Sequence, residues 1–121
     1  MLRMSREEFE RVVAGALDHL PEEIADLLEN VAVVVEDEPS DEDLREVGLD
    51  PETDTLFGLY QGVALPQRGG AYGDALPDRI VIYRLPLLEV CEHRAELIRE
   101  IQDTVVHEVG HYFGLGEDDL P

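Results

Sequence analysis

Residues 107–117 read HEVGHYFGLGE, and this stretch indicates a fold in which a helix carries a metal site. On an α-helix, His107 and His111 would lie about 40° apart around the axis and about 6 Å apart along it, so both imidazoles point into the same space. Glu108 would lie on the adjoining face, where a general base can reach a water beside a metal ion. The pattern is typical of a zinc site carried on a helix.

A turn is predicted directly after this helix. Gly114 lies where the helix must end, because glycine adopts the left-handed backbone conformation at little cost. The turn would return the next carboxylates toward the two histidines. Spacing favours Glu117 as the third metal ligand, with Asp118, Asp119 or a water molecule as alternatives, and a solvated acidic tail as the non-functional interpretation. Two histidines and one carboxylate leave a fourth position for water, as catalytic zinc requires.

The composition limits the partners of the chain. Its 121 residues include 29 Asp and Glu against nine basic side chains, all of them arginine, and the formal net charge is -20. Such a polyanion is not expected to bind nucleic acid or an anionic membrane. Cys91 is the only cysteine, and no signal-peptide core or stretch of eighteen apolar residues is present, so we expect a cytoplasmic protein. The length predicts a single domain, residues 1–121.

The first half of the chain carries four signals of secondary structure. Ser5 and Glu8 have the spacing of a capping box and predict the start of a helix. Pro21 begins a second, short helix. The run VAVVV at residues 31–35 predicts a buried strand, because four of its five residues are β-branched. Residues 41–47 predict one more short helix within an acidic loop.

The second half predicts two strands and a long helix. Residues 56–65 (LFGLYQGVAL) resemble a strand, and the two glycines indicate a bulge or a close approach by another part of the chain. We expect an edge strand here, able to pair with an extended peptide. Residues 79–84 predict a strand that Pro86 ends, and from about Val90 a helix continues through the motif. Its expected core stripe is Ile98, Ile101, Val105, Val109 and Tyr112. The histidine face would look away from Val109 and line a cleft.

Three blocks of sequence, in this order, resemble a known family. They are residues 59–63 (LYQGV), residues 76–84 (LPDRIVIYR), and residues 104–111 (TVVHEVGH) with the Phe113 and Gly114 that follow. The chain resembles the small bacterial zincin-like metallopeptidases, whose pattern is H-E-x-x-H-x-x-G-x-x-D. The resemblance implies a minimal zincin-like α+β fold, with a short twisted mixed sheet, helices packed against it and the active-site helix at the C-terminus. Glu117 stands where the family commonly has Asp.

These observations predict a zinc-dependent metallopeptidase that acts on a peptide or protein substrate. His107, His111 and Glu117 would bind Zn²⁺, and Glu108 would take a proton from water and pass it to the departing amine. The alternative is a non-catalytic metal-binding or acidic protein-interaction module on the same scaffold, in which Glu108 is dispensable. The pattern leaves the substrate and the oligomeric state open.

Several further polar residues have weaker signals. Side chains that could stabilise an oxyanion are Tyr60, Tyr72, Tyr83 and Arg84, although packing is the favoured interpretation of each. Asp103, one turn before His107, is placed to be a hydrogen-bond partner of that histidine. His19 and His93 are expected at ordinary surface positions. Gly110 weakens the helix and could mark a close approach by a neighbouring element.

Metal content tests the predicted ligands. Protein purified without added metal should contain about one zinc per chain. In His107→Ala and in Glu117→Ala, zinc should be absent or bound much more weakly. The measurement is elemental analysis against protein concentration. Zinc retained in Glu117→Ala would move the third ligand to another residue or to water, and no zinc in the parent, even after zinc is supplied, would contradict the metal site.

Overall fold

The computed structural model describes residues 1–62 and 78–114. Its elements, in chain order, are α1 (Arg6–Leu17), α2 (Glu22–Leu27), β1 (Val31–Glu36), α3 (Asp41–Glu46), β2 (Gly58–Gln61), β3 (Asp78–Tyr83), α4 (Arg84–Val90) and α5 (Arg94–Tyr112). Within these residues, no helix is both long and apolar enough to cross a membrane.

The three strands form one small mixed sheet in the order β1-β3-β2. β1 runs parallel to β3, with Val31 opposite Asp78. β2 runs antiparallel to β3, with Gly58 opposite Ile82, and it lies at an edge of the described sheet. The predicted α+β class and mixed sheet are confirmed. Of residues 56–65, predicted as an edge strand, residues 58–61 form β2 at an edge of the described sheet, and residues 63–65 lie outside the described residues.

The core lies between one face of the sheet and helices α1 and α5. Ile80 and Ile82 of β3 and Phe9 of α1 are fully buried there. From α5, the buried apolar residues are Leu97, Ile101, Val105 and Val109, which repeat at intervals of four. The predicted stripe was wrong at Tyr112, which is 46% exposed, because the helix turns that residue toward β2 instead of the core.

Local capping explains where the first helices begin. The hydroxyl of Ser5 accepts a hydrogen bond from the main-chain N–H of Glu8 at 3.2 Å, as the capping spacing predicts. The carboxylate of Glu8 pairs with Arg94, which links α1 to the first residue of α5. Pro21 is the N-cap of α2 and Ser40 caps α3, so the predicted starts of both short helices are confirmed.

The junction between β3 and the long helix differs from the prediction. We expected Pro86 to end the strand, but β3 ends at Tyr83 and Pro86 lies in the first turn of α4. A proline is tolerated there because the first turn of a helix has no internal partner for its N–H. The long helix begins at Arg94 and not near Val90, because Val90 is the last residue of the separate helix α4 and residues 91–93 connect the two helices.

The two glycines in and beside β2 mark close approaches to α5. A Cβ added at Gly58 would lie 2.6 Å from Cγ2 of Thr104 and 3.0 Å from the main-chain oxygen of Val81. A Cβ added at Gly62 would lie 2.5 Å from the hydroxyl of Tyr112. Both positions therefore need glycine for the helix to pack on the strand edge, as the sequence suggested for this segment.

We expect Gly58→Ala to reduce the free energy of unfolding by about 1–3 kcal/mol, because the methyl group has no room between β2 and α5. Gly15→Ala is the matched control, since Gly15 is exposed in α1 and a Cβ there meets nothing within 4 Å. That control should gain up to about 1 kcal/mol. Urea unfolding of both variants measures the difference, and equal stabilities would contradict the close packing.

Candidate functional site

Helix α5 carries the motif residues in its last two turns. His107 and His111 are exposed, and Glu108 is partly buried. The helical spacing places both histidines on one face, with Glu108 at the side of that face next to β2. The structure thus brings the three motif residues together on one element.

The ring of His107 is held by its own helix. Its Nδ1 lies 2.8 Å from the carbonyl oxygen of Asp103. A carbonyl can only accept, so Nδ1–H is the donor of this bond, and in the neutral imidazole Nε2 has the lone pair that could bind a metal ion. Such a bond orients a histidine ligand. Asp103 is a partner of His107, as predicted, but it acts through its main-chain carbonyl.

Glu108 is held by the edge strand. Its Oε1 accepts a hydrogen bond from the main-chain N–H of Tyr60 at 2.9 Å. Tyr60 lies within β2, so the N–H used is one that the strand does not give to β3. One carboxylate oxygen of Glu108 is therefore fixed against the sheet, and Oε2 takes no part in this bond.

A cleft of about 330 Å³ separates α5 from the start of β2. Phe57 and Gly58 line one side, and Thr104, His107 and Glu108 line the other. Two further acidic residues of α5, Glu100 and Asp103, also line this cleft. Three acidic side chains beside a histidine make the cleft attractive to cations. Of the two histidines expected to face a cleft, His107 lines this one.

The predicted third ligand lies outside the described residues, as do its alternatives Asp118 and Asp119. Within residues 1–62 and 78–114, no three His, Cys, Asp or Glu side chains form a group that could hold a metal ion. The described chain supplies two imidazole nitrogens, which suit zinc but need a further ligand. Glu117 therefore stays a prediction.

The end of α5 has the geometry that the motif predicts. Gly114 has a φ of 70°, in the left-handed region. Its N–H bonds to the carbonyl of His111 at 3.2 Å, and the N–H of Phe113 bonds to that of Val109 at 3.0 Å. The chain consequently leaves the helix axis three residues after His111.

An aromatic cluster adjoins the motif, and sequence reasoning missed it as a unit. The rings of Tyr60 and Tyr112 stack with centroids 3.9 Å apart, and Phe113 packs edge-on against both. The hydroxyl of Tyr60 donates to Oδ2 of Asp78 at 2.8 Å. Tyr60 and Asp78 each belong to a block that resembles the zincin-like family, and that shared membership was the available signal.

The other candidates for oxyanion stabilisation either form hydrogen bonds elsewhere in the structure or lie outside the described residues. Tyr83 is buried with its hydroxyl 3.5 Å from Oδ2 of Asp43, and burial, reinforced by that carboxylate, raises the pKa of Tyr83 to about 12. Arg84 binds Asp37 at 3.0 Å and a main-chain carbonyl near the N-terminus. Tyr72 lies outside the described residues. Neither Tyr83 nor Arg84 lines the cleft beside His107.

The remaining single residues have ordinary structural positions. His19 is exposed and bonds to the carbonyl of Gly15 through Nδ1 at 2.9 Å. His93 is exposed and serves as the N-cap residue of α5. Both agree with the surface positions expected for them. Gly110 is buried within the motif, and Cys91 is a buried free thiol whose pKa is raised by burial.

Comparison with known proteins agrees with this geometry. The sequence pattern of the zincin-like metallopeptidases matches residues 28–121, which is most of the chain, and the chain belongs to that family. A similar solved structure is that of a conserved hypothetical protein from T. thermophilus, with a TM-score of 0.59 and 25% sequence identity. The match covers 91% of this chain and 94% of that protein. A search of curated proteins found no match.

We expect Gly114→Ala to lose about 1–2 kcal/mol of stability, because alanine is strained in the left-handed region. Gly48→Ala is the matched control, since Gly48 has a φ of 81° at the end of α3 and a Cβ meets nothing within 4 Å at either glycine. Both variants should lose similar stability. Only Gly114→Ala should also bind zinc more weakly, because it alone alters the turn that leads from His111 to Glu117. Equal zinc affinity in the two variants, measured by competition with a chelator, would contradict this role of the turn.

Proposed function

We propose that this protein is a zinc-dependent peptidase with Glu108 as its general base. The observation that carries the proposal is the arrangement of His107, His111 and Glu108 on the last turns of α5, next to an edge strand and a cleft. Membership of the zincin-like metallopeptidase family supports the same class of chemistry.

The described residues fit zinc through their donor atoms. The Nδ1–H of His107 is bonded to a carbonyl, so Nε2 is the atom available for a metal. His111 lies one turn further on the same face, and Glu117 is the proposed third ligand. Zinc bound by this set would polarise a substrate carbonyl and make a water molecule more acidic.

Glu108 would carry the proton between water and the leaving group. Its Oε1 is bonded to the main chain of Tyr60, so Oε2 is the atom that accepts a proton from the attacking water. The same oxygen then gives this proton to the nitrogen of the departing amine, and Glu108 returns to its carboxylate form. Every proton is accounted for without another acid in the cleft.

The proposed substrate is a peptide or protein segment that enters the cleft between β2 and α5. β2 lies at the sheet edge, but the N–H of Tyr60 is bonded to Glu108. A substrate backbone that pairs with this edge would therefore use other main-chain groups. Carboxylates from Glu100, Asp103 and Glu108 favour a substrate with positive charge near the cleft.

We expect Glu108→Gln to reduce kcat by about 10²–10⁴-fold, because glutamine cannot accept the proton, while zinc stays bound. The measurement is hydrolysis of an unstructured protein and of a mixed peptide library by the zinc-loaded protein, followed by mass spectrometry. Glu100→Gln is the matched control, since it removes a carboxylate from the same cleft without removing the base.

Two outcomes would contradict the proposal. Unchanged cleavage in Glu108→Gln would assign the activity to another residue or to a contaminant. Zinc binding with no cleavage by the parent of any peptide in the library would favour the alternative, a non-catalytic metal-binding module, in which Glu108 has no role.

A further inference from the structure

We propose that Tyr60 and Asp78 are positioning residues for Glu108, so that the general base is held in place by a partly buried phenol–carboxylate bond between the neighbouring strands β2 and β3. The inference rests on the proposed function, because Glu108 is the base of that reaction. It assigns a role to two residues outside the proposed set of metal ligands.

The first link joins Asp78 to Tyr60. Asp78 begins β3 and is only 8% exposed, and its Oδ2 accepts the Tyr60 hydroxyl at 2.8 Å. A carboxylate at such a position is costly unless it accepts hydrogen bonds. Since Tyr60 lies opposite Ile80 on the adjacent strand, the phenol crosses diagonally along the sheet to reach Asp78. The far end of the Tyr60 side chain is thereby fixed.

The second link joins Tyr60 to α5 through its ring. Tyr112 stacks on the Tyr60 ring at 3.9 Å with an angle of 18° between the planes. Gly62 makes room for this stack, because a Cβ there would collide with the Tyr112 ring. Tyr112 follows Glu108 by four residues and so lies on the same side of the helix. The stack therefore attaches α5 to β2 one turn away from the base.

The third link is the bond from the Tyr60 main chain to Glu108. Tyr60 is held at its hydroxyl by Asp78 and at its ring by Tyr112, and its N–H meets Oε1 of Glu108 at 2.9 Å. A rotation or slip of β2 at this residue would break all three contacts. Without them the Glu108 side chain would sample other rotamers and meet the substrate in the wrong geometry more often.

The test is Tyr60→Phe, which keeps the stacked ring and removes only the hydroxyl. We expect kcat to fall about 10–100-fold while KM and the zinc content stay unchanged. Tyr83→Phe is the matched control. It also removes a phenol bonded to a carboxylate, but on the opposite face of the same sheet, where Tyr83 reaches Asp43 of α3. A purely structural effect would lower the melting temperature in both variants and leave both kcat values near the parent value.

A second readout does not depend on activity. Amide hydrogen exchange at position 60, followed by NMR in the zinc-free protein, should become at least about 10-fold faster in Glu108→Ala and also in Tyr60→Phe. The exchange rate of the Leu59 amide, which faces β3, should be unchanged in both variants. Tyr83→Phe should change the exchange rate of neither the Leu59 nor the Tyr60 amide.

The two readouts separate the two proposals. Unchanged exchange at position 60 in Tyr60→Phe, or an equal loss of kcat in Tyr60→Phe and Tyr83→Phe, would overturn the positioning role. A parent protein that cleaves no peptide would overturn the proposed function. If the same protein shows the expected exchange pattern, the hydrogen bond between β2 and Glu108 would still be supported.

Discussion

The hydrogen bond from the main chain of Tyr60 to Glu108 joins the edge strand to the helix that carries the motif, and the geometry of the site depends on it. An edge strand has N–H groups that need acceptors, and a partly buried carboxylate needs donors. This bond gives the Tyr60 N–H an acceptor and the Glu108 carboxylate a donor. It also requires β2 and α5 to lie close together, which the chain achieves with glycine at positions 58 and 62.

The core explains why the histidine face of α5 is available. Leu97, Ile101, Val105 and Val109 repeat every four residues and fix the rotation of the helix against α1 and the sheet. Because a helix has one buried face, the residues between these positions point elsewhere. His107 is turned to the cleft and Glu108 to the strand edge. Packing of ordinary apolar residues thus sets the direction of the polar ones.

Much of this arrangement can be predicted from local sequence. The H-E-x-x-H spacing, the left-handed glycine at 114, the Ser5 cap and the β-branched run at 31–35 each depend on neighbours within a few residues. The predictions failed where packing between elements determines the bounds of a strand or helix. Pro86 predicts the end of a strand, but its place in the first turn of α4 depends on where β3 stops.

The hydrogen-bond and stacking partners near the motif also depend on more than local sequence. Asp103 acts through its carbonyl because helix geometry, and not side-chain charge, puts an acceptor beside His107. The cluster of Asp78, Tyr60 and Tyr112 joins three elements that are distant in sequence, so no local pattern predicts it. Tyr60 and Asp78 lie in blocks that resemble one family, but Tyr112 lies outside those blocks.

A crystal structure of the zinc-loaded protein would show the metal ligands and the general base at once. We expect zinc bound through Nε2 of His107 and of His111, with Oε1 of Glu108 still bonded to the N–H of Tyr60 and Glu108 not ligated to the ion. Zinc bound elsewhere, or Glu108 among its ligands, would contradict the proposed roles of these three residues.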